Sequence, residues 1–198
     1  MPRPREFDEA DVVAAARDEF WTRGYTATSV DDLTNVTGLG KGSLYGAFGD
    51  KHGLFLRALD DYITSAVDGV RTQLRDPRRS AYDRLTRHIR GQARAIAADT
   101  SRRGCMMAKS AAELSATDDE VETHVEQAYA VWRAELVDCI KEAQRDGAID
   151  PKRNAQALAA TLLSFMRGLE ALHKGGAKPA QIRAAADEMI SLISTGSE

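Results

Sequence analysis

The sequence has few cysteines and no long apolar stretch, and each shortage excludes a class of protein. Cys105 and Cys139 are the only cysteines among 198 residues, too few for a disulfide scaffold or a zinc site built from cysteines. No uninterrupted apolar run approaches the roughly 20 residues that a membrane-spanning helix needs. The arginines near the start are not followed by an apolar stretch, so no secretory signal is expected. These observations predict a cytoplasmic protein without a membrane partner.

A basic excess is also absent. Lys and Arg number 27 against 30 Asp and Glu, which gives a formal net charge of −3. Proteins that bind nucleic acids usually carry a basic face, so bulk charge alone argues against such a partner. A total discards position, however. Residues 1–53 hold six basic against nine acidic side chains, while the rest of the chain is balanced, so a few placed cations can still form a binding surface.

Strand signals are missing as well, since strict alternation of apolar and polar residues does not occur. Apolar residues instead recur three and four positions apart, and the hydrophobic fraction of 43% is enough for a core. The pattern predicts an all-α fold of about nine helices, the first from about Asp8 to Arg23. A short second helix, capped by Thr28 or Ser29, is expected to place three apolar residues inward: Val30, Leu33 and Val36.

Residues 29–48, SVDDLTNVTGLGKGSLYGAF, carry the strongest signal. They predict a short helix, a glycine-containing turn and a further helix over about Lys41–Phe48, which is the helix-turn-helix pattern. With Leu44 and Phe48 in the core, the outward face of the third helix holds Gly42, Ser43, Tyr45 and Gly46. Two glycines leave that face smooth enough for the backbone to approach DNA closely. A P-loop is excluded because Lys41 is followed by Gly42 and not by Ser or Thr.

The segment resembles the N-terminal domain of TetR-type transcriptional regulators over about the first quarter of the chain. The resemblance rests on Arg-Gly-Tyr at 23–25, Thr-Ser-Val-Asp-Asp-Leu at 28–33, Thr-Gly-Leu-Gly-Lys-Gly-Ser-Leu-Tyr at 37–45 and Phe-Gly-Asp-Lys at 48–51. It implies a helix-turn-helix DNA-binding domain at 1–53 and a ligand-binding and dimerisation domain at 54–198. The implied function is a ligand-responsive regulator, a repressor released from a palindromic operator by a small molecule.

The resemblance also implies roles for single residues. Lys41, Gly42, Ser43 and Tyr45 would read or support DNA, and phosphates would be clamped by Thr28, Ser29, Tyr45 and Lys51. Two departures bear on specificity, because Gly40 stands where the family usually has a serine cap and Gly46 where a large polar residue is common. The groove-facing cations predicted for this surface are Lys41, Lys51, His52 and an arm carrying Arg3 and Arg5.

Two stripes near the C-terminus step by three and four residues and suggest a helical hairpin, with Pro179 opening its second helix. These stripes can face either a second copy of the chain or the protomer's own core. The resemblance favours a homodimer through the eighth and ninth helices. The interface residues predicted on this basis are Leu158, Leu162, Phe165, Leu169, Ile182, Ala186, Met189 and Ile193.

A ligand site in the body is predicted from one polar residue on an apolar stripe. Gln92 shares a helix face with Leu85, Ile89 and Ile96, and a buried amide needs partners that a ligand can supply. An ordinary core with a satisfied amide explains the same pattern. The candidate ligand-binding residues are Tyr62, His88, Gln92, Met106, Tyr129, Trp132 and Phe165.

Cys105 begins a predicted short helix after Arg102-Arg103-Gly104, a setting that lowers a thiol pKa and suggests a redox or electrophile sensor. A small buried residue is the alternative. The motif Arg-Arg-Gly-Cys-Met-Met at 102–107 is similar to a helix start in part of the TetR family. The four histidines are scattered and no catalytic constellation is visible, so neither an enzyme, a cofactor nor a metal site is predicted. A DNA-architecture or adaptor protein without a ligand is the other alternative.

Overall fold

The computed structural model describes residues 7–194, which form nine α-helices and no strand. The all-α prediction is therefore confirmed. Two predicted starts are confirmed too, because Asp8 caps α1 and Pro179 is the first residue of α9. The helices are α1 Glu9–Arg23, α2 Val30–Thr37, α3 Lys41–Phe48, α4 Lys51–Leu74, α5 Ala81–Ala98, α6 Met106–Leu114, α7 Asp119–Arg145, α8 Ala155–Lys174 and α9 Pro179–Ile193.

The chain forms two compact units, neither of which is continuous in sequence. The first comprises Met1–Ser65 and Met106–Val125, and the second comprises Ala66–Cys105 and Glu126–Glu198. Helices α4 and α7 therefore contribute residues to both units, and α6 belongs to the first. The predicted DNA-binding domain at 1–53 and the predicted ligand-binding and dimerisation domain at 54–198 are defined by function and not by compactness. This division stays a prediction. Among residues 7–194, no helix is both long and apolar enough to span a membrane.

The core of the first unit forms around the apolar stripe of α1. Val12, Val13, Ala16 and Phe20 are buried, as their spacing predicts. The Phe20 ring stands edge-on to Phe55 at 5.1 Å between centroids. Aromatic packing of this kind holds α4 against α1.

Helix α2 buries less than its sequence predicts. Leu33 is fully buried and Val30 is half-buried, but Val36 is 42% exposed, so the prediction that Val36 faces inward is wrong. A step of three residues rotates about 60° short of a full turn, because each residue advances about 100°. Val30 and Val36 therefore flank Leu33 on opposite sides, and a two-turn helix buries fully only the central one.

Gly53 in the first turn of α4 is required by a close approach of backbone. A Cβ atom at this position would stand 2.1 Å from the carbonyl oxygen of Phe48. Asp50 caps the same turn, because its carboxylate accepts a hydrogen bond of 2.8 Å from the Gly53 amide. The turn between α3 and α4 is therefore fixed by one cap and one missing side chain.

The second unit has its own core, in which α5 packs against both α8 and α9. The stripes that predict a dimer interface line this core. Six of the eight predicted interface residues are buried within the single chain, and only Phe165 and Met189 are half-buried. The interface prediction is therefore wrong for Leu158, Leu162, Leu169, Ile182, Ala186 and Ile193. A heptad-like stripe indicates a helix face that packs against another helix, and here that other helix belongs to the same chain.

Candidate DNA-binding surface

Helix α3 is anchored to the core by two buried side chains on its inner face. Leu44 and Phe48 are buried, one turn apart on the inner face of the helix. Lys41, Gly42, Ser43, Tyr45 and Gly46 are all exposed. The outward face predicted from the sequence is thus confirmed, and it presents an amine, a hydroxyl and a phenol on an eight-residue helix.

The two glycines on this face have no internal structural purpose. A Cβ atom built at Gly42 or Gly46 meets nothing within 4 Å, and neither residue has a positive φ angle. Glycine inside a helix is destabilising by roughly 0.5–1 kcal/mol relative to alanine. The fold therefore does not require glycine here, and the outer surface of α3 stays flat at these two positions.

Lys41 lies across the gap between α2 and α3. Its Nζ atom is 2.7 Å from Oδ1 of Asp31, and this hydrogen bond raises the pKa of Lys41. Both side chains are exposed, so the pair contributes little to stability. The ammonium group is therefore placed at the surface of the motif by a contact that an incoming acceptor can replace.

The N-terminus of α2 is closed by a reciprocal cap. Ser29 Oγ accepts a hydrogen bond from the Asp32 amide at 3.1 Å, while the Ser29 amide and hydroxyl both donate to Asp32 Oδ2. These bonds, with a contact to Arg23, lower the pKa of Asp32 to about 2. Ser29 is exposed, as a phosphate contact requires, but its hydroxyl already donates to a carboxylate.

Thr28 differs from its neighbour. Its side chain is 0% exposed, and Oγ1 donates to the carbonyl oxygen of Gly24 at 2.6 Å. A fully buried hydroxyl cannot reach a phosphate group, so the prediction that Thr28 clamps DNA is wrong. The residue instead closes the loop between α1 and α2 and so positions Ser29.

Lys51 packs on an aromatic ring at the start of α4. Its Nζ atom lies 4.2 Å from the centroid of the Tyr25 ring. Partial burial lowers the pKa of Lys51 and raises that of Tyr25. The ring holds the ammonium group close to the motif through a cation–π contact, so less side-chain freedom is lost when it meets an anion.

Two residues of α6 bind the end of α1 and the loop that follows it, and no sequence pattern predicts these contacts. Glu113 accepts hydrogen bonds from the backbone amides of Tyr25 and Thr26 at 3.1 and 2.6 Å. Lys109 Nζ donates to the carbonyl oxygens of Trp21 and Thr22 at 3.0 and 2.8 Å. These contacts join positions almost 90 residues apart through the main chain, where side-chain patterns carry no information. We call Lys109 and Glu113 the α6 clamp.

The sequence predicts His52 on the groove-facing surface, but in the structure its ring contacts acidic residues. Nε2 is 2.7 Å from Asp118 Oδ2, and Nδ1 is 3.9 Å from Glu120 Oε2. Among the described residues, these three are the one group whose side chains are of metal-ligand type and lie close enough to share an ion. Asp118 also caps α7 through the Val121 amide, which accounts for its position without a metal. Arg3 and Arg5 lie outside the described residues.

The candidate ligand residues are divided between the two units. In the first unit, Met106 is buried and the Tyr62 ring stands edge-on to Trp21 at 5.0 Å. In the second, the imidazole of His88 is fully buried between two partners. Its Nε2 atom accepts from Trp132 Nε1 at 3.1 Å, and Nδ1 is 2.9 Å from Gln73 Oε1.

Both nitrogens of His88 are therefore occupied, and the indole donor fixes the proton on Nδ1. Burial lowers the pKa of His88 to about 4, aided by the charge of Arg167. The residue is thus a neutral core histidine with both ring nitrogens paired, and its partner Trp132 is also a buried core residue. No hydrogen bond of either is left for a ligand, so both support the surrounding structure instead of offering a binding group.

In the second unit, three candidates keep some exposure, because Gln92, Tyr129 and Phe165 are each half-buried there. Close to Phe165 on α8 is an ion pair in a mostly buried setting, with Arg167 Nη1 2.9 Å from Glu170 Oε2. The Arg167 guanidinium also lies 4.8 Å from the Trp132 ring. Burial raises the pKa of Glu170 to about 7, against the opposing charge of Arg167.

Both cysteines are buried. Cys105 is 4% exposed and hydrogen-bonds with Tyr129, whose pKa is raised mainly by burial. Cys139 donates to the Ala81 carbonyl at 3.2 Å, and burial raises its pKa to about 11. A sensor thiol has to meet its reagent, so the burial of Cys105 favours the alternative of a packed core residue.

Known proteins share this architecture and sequence pattern over most of the chain. Residues 12–58 match the family described as bacterial regulatory proteins, tetR family, and residues 81–189 match the tetracyclin repressor-like C-terminal domain. The HTH-type transcriptional repressor BdcR of Escherichia coli (strain K12) is 30% identical over 93% of this chain and 88% of its own length. For the repressor ComR of the same strain, the values are 28%, 88% and 83%.

A solved structure with bound DNA is also similar. It is a cysteine mutant of the TetR family transcriptional regulator CifR, complexed with 26-base-pair double-strand operator DNA. Its sequence is 25% identical, and the TM-score is 0.79 over 96% of this chain and 99% of that one.

Proposed function

The chain belongs to the TetR family of bacterial regulatory proteins, and from that premise we propose that it represses transcription by binding a palindromic operator as a homodimer. A small molecule bound in the body releases the operator. The observation that carries the DNA-binding part is the outer face of α3. Two glycines with no internal purpose stand there beside three exposed polar side chains.

We assign roles on this face by the reach and chemistry of each residue. Lys41, Ser43 and Tyr45 contact base edges or adjacent phosphates in the major groove, while Gly42 lets the helix backbone approach the duplex. Lys41 exchanges Asp31 for an acceptor on DNA. Ser29 and the first turn of α2 contact one phosphate, and Lys51 contacts another. The DNA-binding domain on this assignment is 1–53, and residues 54–198 bind ligand and partner.

Few of these contacts are ionic, because this domain carries more acids than bases. Each phosphate neutralised adds slightly less than one to the logarithmic salt dependence of binding. We therefore expect a shallow salt dependence, and affinity that rests on a few placed contacts and on DNA shape.

The effector site belongs to the body. Gln92, Tyr129 and Phe165 are its proposed lining in the second unit, because they combine an amide, a phenol and an aromatic face with partial exposure. His88 and Trp132, which are buried and hydrogen-bonded to each other, support this lining without contacting the effector. To release DNA, the effector must bind the released form of the dimer more tightly than the operator-bound form.

The dimer surface we propose is the outward face of α8 and α9, opposite the buried stripes. Along α8 this face consists mostly of small exposed residues, which permit close helix packing. Two large apolar side chains, Leu172 on α8 and Leu192 on α9, are each 60% exposed. The small residues on α8 are Ala157, Ala160, Thr161, Ser164, Gly168 and Ala171.

The test is selection of bound DNA from a random pool by the full chain. We expect a palindrome whose half-sites lie about one helical turn apart or a multiple of it. Lys41→Ala should then weaken binding to the selected site by about tenfold, the effect of losing about 1.4 kcal/mol. Lys141→Ala removes an exposed lysine of α7 and is the matched control. No enriched sequence, or equal effects of the two variants, would refute the proposal.

A further inference from the structure

A small cavity on the second unit combines an apolar floor with charged walls. It lies between α5 and α9, has a volume of about 120 Å³, and is lined by Arg90, Ala93, Arg94, Arg183, Ala186 and Asp187. Ala93 and Ala186 are each 1% exposed and form its floor. Since alanine side chains are short, the longer side chains around them leave a depression.

The charges around this cavity are unbalanced. Arg90 pairs with Asp187, with 2.8 Å between Nε and Oδ1. Arg94 lies one turn after Arg90 on α5, and Arg183 lies one turn before Asp187 on α9, yet both line the same cavity. Arg94 therefore lines the cavity from α5, and Arg183 lines it from α9.

Neither Arg94 nor Arg183 forms an ion pair or a hydrogen bond with any residue in the part of the chain that the structure describes. Asp187 is the one carboxylate among the lining residues, and Arg90 already engages it. Both residues are exposed, so solvent weakens but does not remove the repulsion between two guanidinium groups that line one cavity without a counter-ion. A bound anion between them removes that repulsion, and the planar guanidinium fork matches the oxygen geometry of carboxylates and phosphates.

We propose that this cavity is a binding site for a small oxyanion with at least two negative charges, a phosphate or a dicarboxylate. Arg94 and Arg183 bind it from the two walls. Asp187 opposes it by charge and holds Arg90, so Arg90 joins the site only when it leaves Asp187. The site uses no residue of the DNA-binding surface or of the proposed effector lining.

Calorimetric titration of the full chain with inorganic phosphate, and separately with succinate, tests the proposal. Sodium chloride at matched ionic strength accounts for general screening. We expect saturable binding of at least one of the two anions, and Arg94→Gln and Arg183→Gln should each weaken it at least tenfold. Arg133→Gln, which removes an exposed arginine of α7 with the same change in charge, should leave it unchanged.

A second pair of variants separates this site from overall charge. Asp187→Asn should strengthen binding several-fold, because it removes the opposing carboxylate and frees Arg90. Glu188→Gln changes the same charge on the next residue of α9 and should have little effect. Phosphate binding alone assigns a phosphorylated ligand, and succinate binding alone assigns a dicarboxylate. Binding of neither anion, equal binding by Arg94→Gln and the unmodified chain, or equal effects of the Asp187 and Glu188 variants would overturn the proposal.

Discussion

At the scale of single residues, glycines separate what the fold needs from what a surface needs. Gly53 is needed internally, because its Cβ would collide with the Phe48 carbonyl. Gly42, Gly46 and Gly168 lie inside helices with open space around the missing side chain. All three stand on faces that we propose as contacts with DNA or with a second chain. Gly69 in α4 has similar open space, and nothing in the structure explains it.

This contrast predicts that Gly46→Ala increases the stability of the protein and decreases its affinity for the operator. The free energy of unfolding should rise by roughly 0.5–1 kcal/mol, because alanine restricts the unfolded chain and favours the helix. Operator affinity should fall by about tenfold, because the added methyl group separates α3 from the groove. Urea unfolding and a binding titration measure the two effects. Gly69→Ala should give the first effect without the second, and an unchanged affinity of Gly46→Ala would contradict the proposed docking face.

At the scale of elements, α6 acts on the DNA-binding motif through backbone groups. The Lys109 ammonium group meets the last carbonyls of α1, where the helix dipole is negative. Burial by itself would raise the pKa of Glu113, but hydrogen bonds from Thr26 and Tyr25 outweigh it and lower the pKa. The α6 clamp thus fixes the loop from which α2 begins, and with it the position of Ser29.

We predict that Glu113→Ala loosens this loop more than it destabilises the whole protein. Hydrogen bonds to a charged group contribute about 1.5–3 kcal/mol, and both acceptor contacts disappear. The amides of Tyr25 and Thr26 should exchange hydrogen at least tenfold faster, and operator affinity should fall. Hydrogen exchange followed by NMR resolves these amides. Glu122→Ala, on an exposed position in the first turn of α7, serves as control, and unaltered exchange at Tyr25 and Thr26 would refute the role of the clamp.

Sequence reasoning succeeds where a feature is local and fails where it depends on a distant partner. The ends of α3 and its buried pair, Leu44 and Phe48, follow from spacing within eight residues. The α6 clamp is invisible to such reasoning because it uses main-chain atoms distant in sequence. The stripes of α8 and α9 face the protomer's own core and not a second chain, since periodicity identifies a buried face without identifying what covers it. Thr28 is a similar case, because its place in the motif predicts a phosphate contact while its hydroxyl is buried against the Gly24 carbonyl.

At the scale of the whole molecule, the exposed leucines make the dimer testable. Leu172→Glu places a charge on the proposed interface, and burying it without a partner costs several kcal/mol. We expect a folded monomer by sedimentation, with operator binding reduced at least tenfold because the two half-sites are no longer bound together. Val36→Glu changes an exposed apolar residue of the first unit and should leave the dimer intact. A dimeric Leu172→Glu would place the interface elsewhere.

One buried and one mostly buried group of the second unit make stability depend on pH in opposite senses. The pKa of His88 falls from 6.5 to about 4 on folding, so the unfolded chain binds more protons between these values. Stability from this group is therefore complete above pH 6.5 and is lost as pH falls toward 4. The pKa of Glu170 rises from 4.5 to about 7, so the folded chain binds more protons there. Stability from this carboxyl is complete below pH 4.5 and is lost as pH rises through 7.

The two effects oppose each other between about pH 4.5 and 6.5, and above that range only the Glu170 effect continues. Glu170→Gln removes it. The stability of this variant relative to the unmodified chain should therefore increase with pH, by on the order of 2 kcal/mol between pH 5 and pH 8. Urea unfolding at both pH values measures the difference, with equal m-values as the check on two-state behaviour. Glu120→Gln, at an exposed carboxylate of the first unit, should show no comparable trend. A difference for Glu170→Gln that stays constant with pH would mean that Glu170 is ionised throughout, and that Arg167 outweighs its burial.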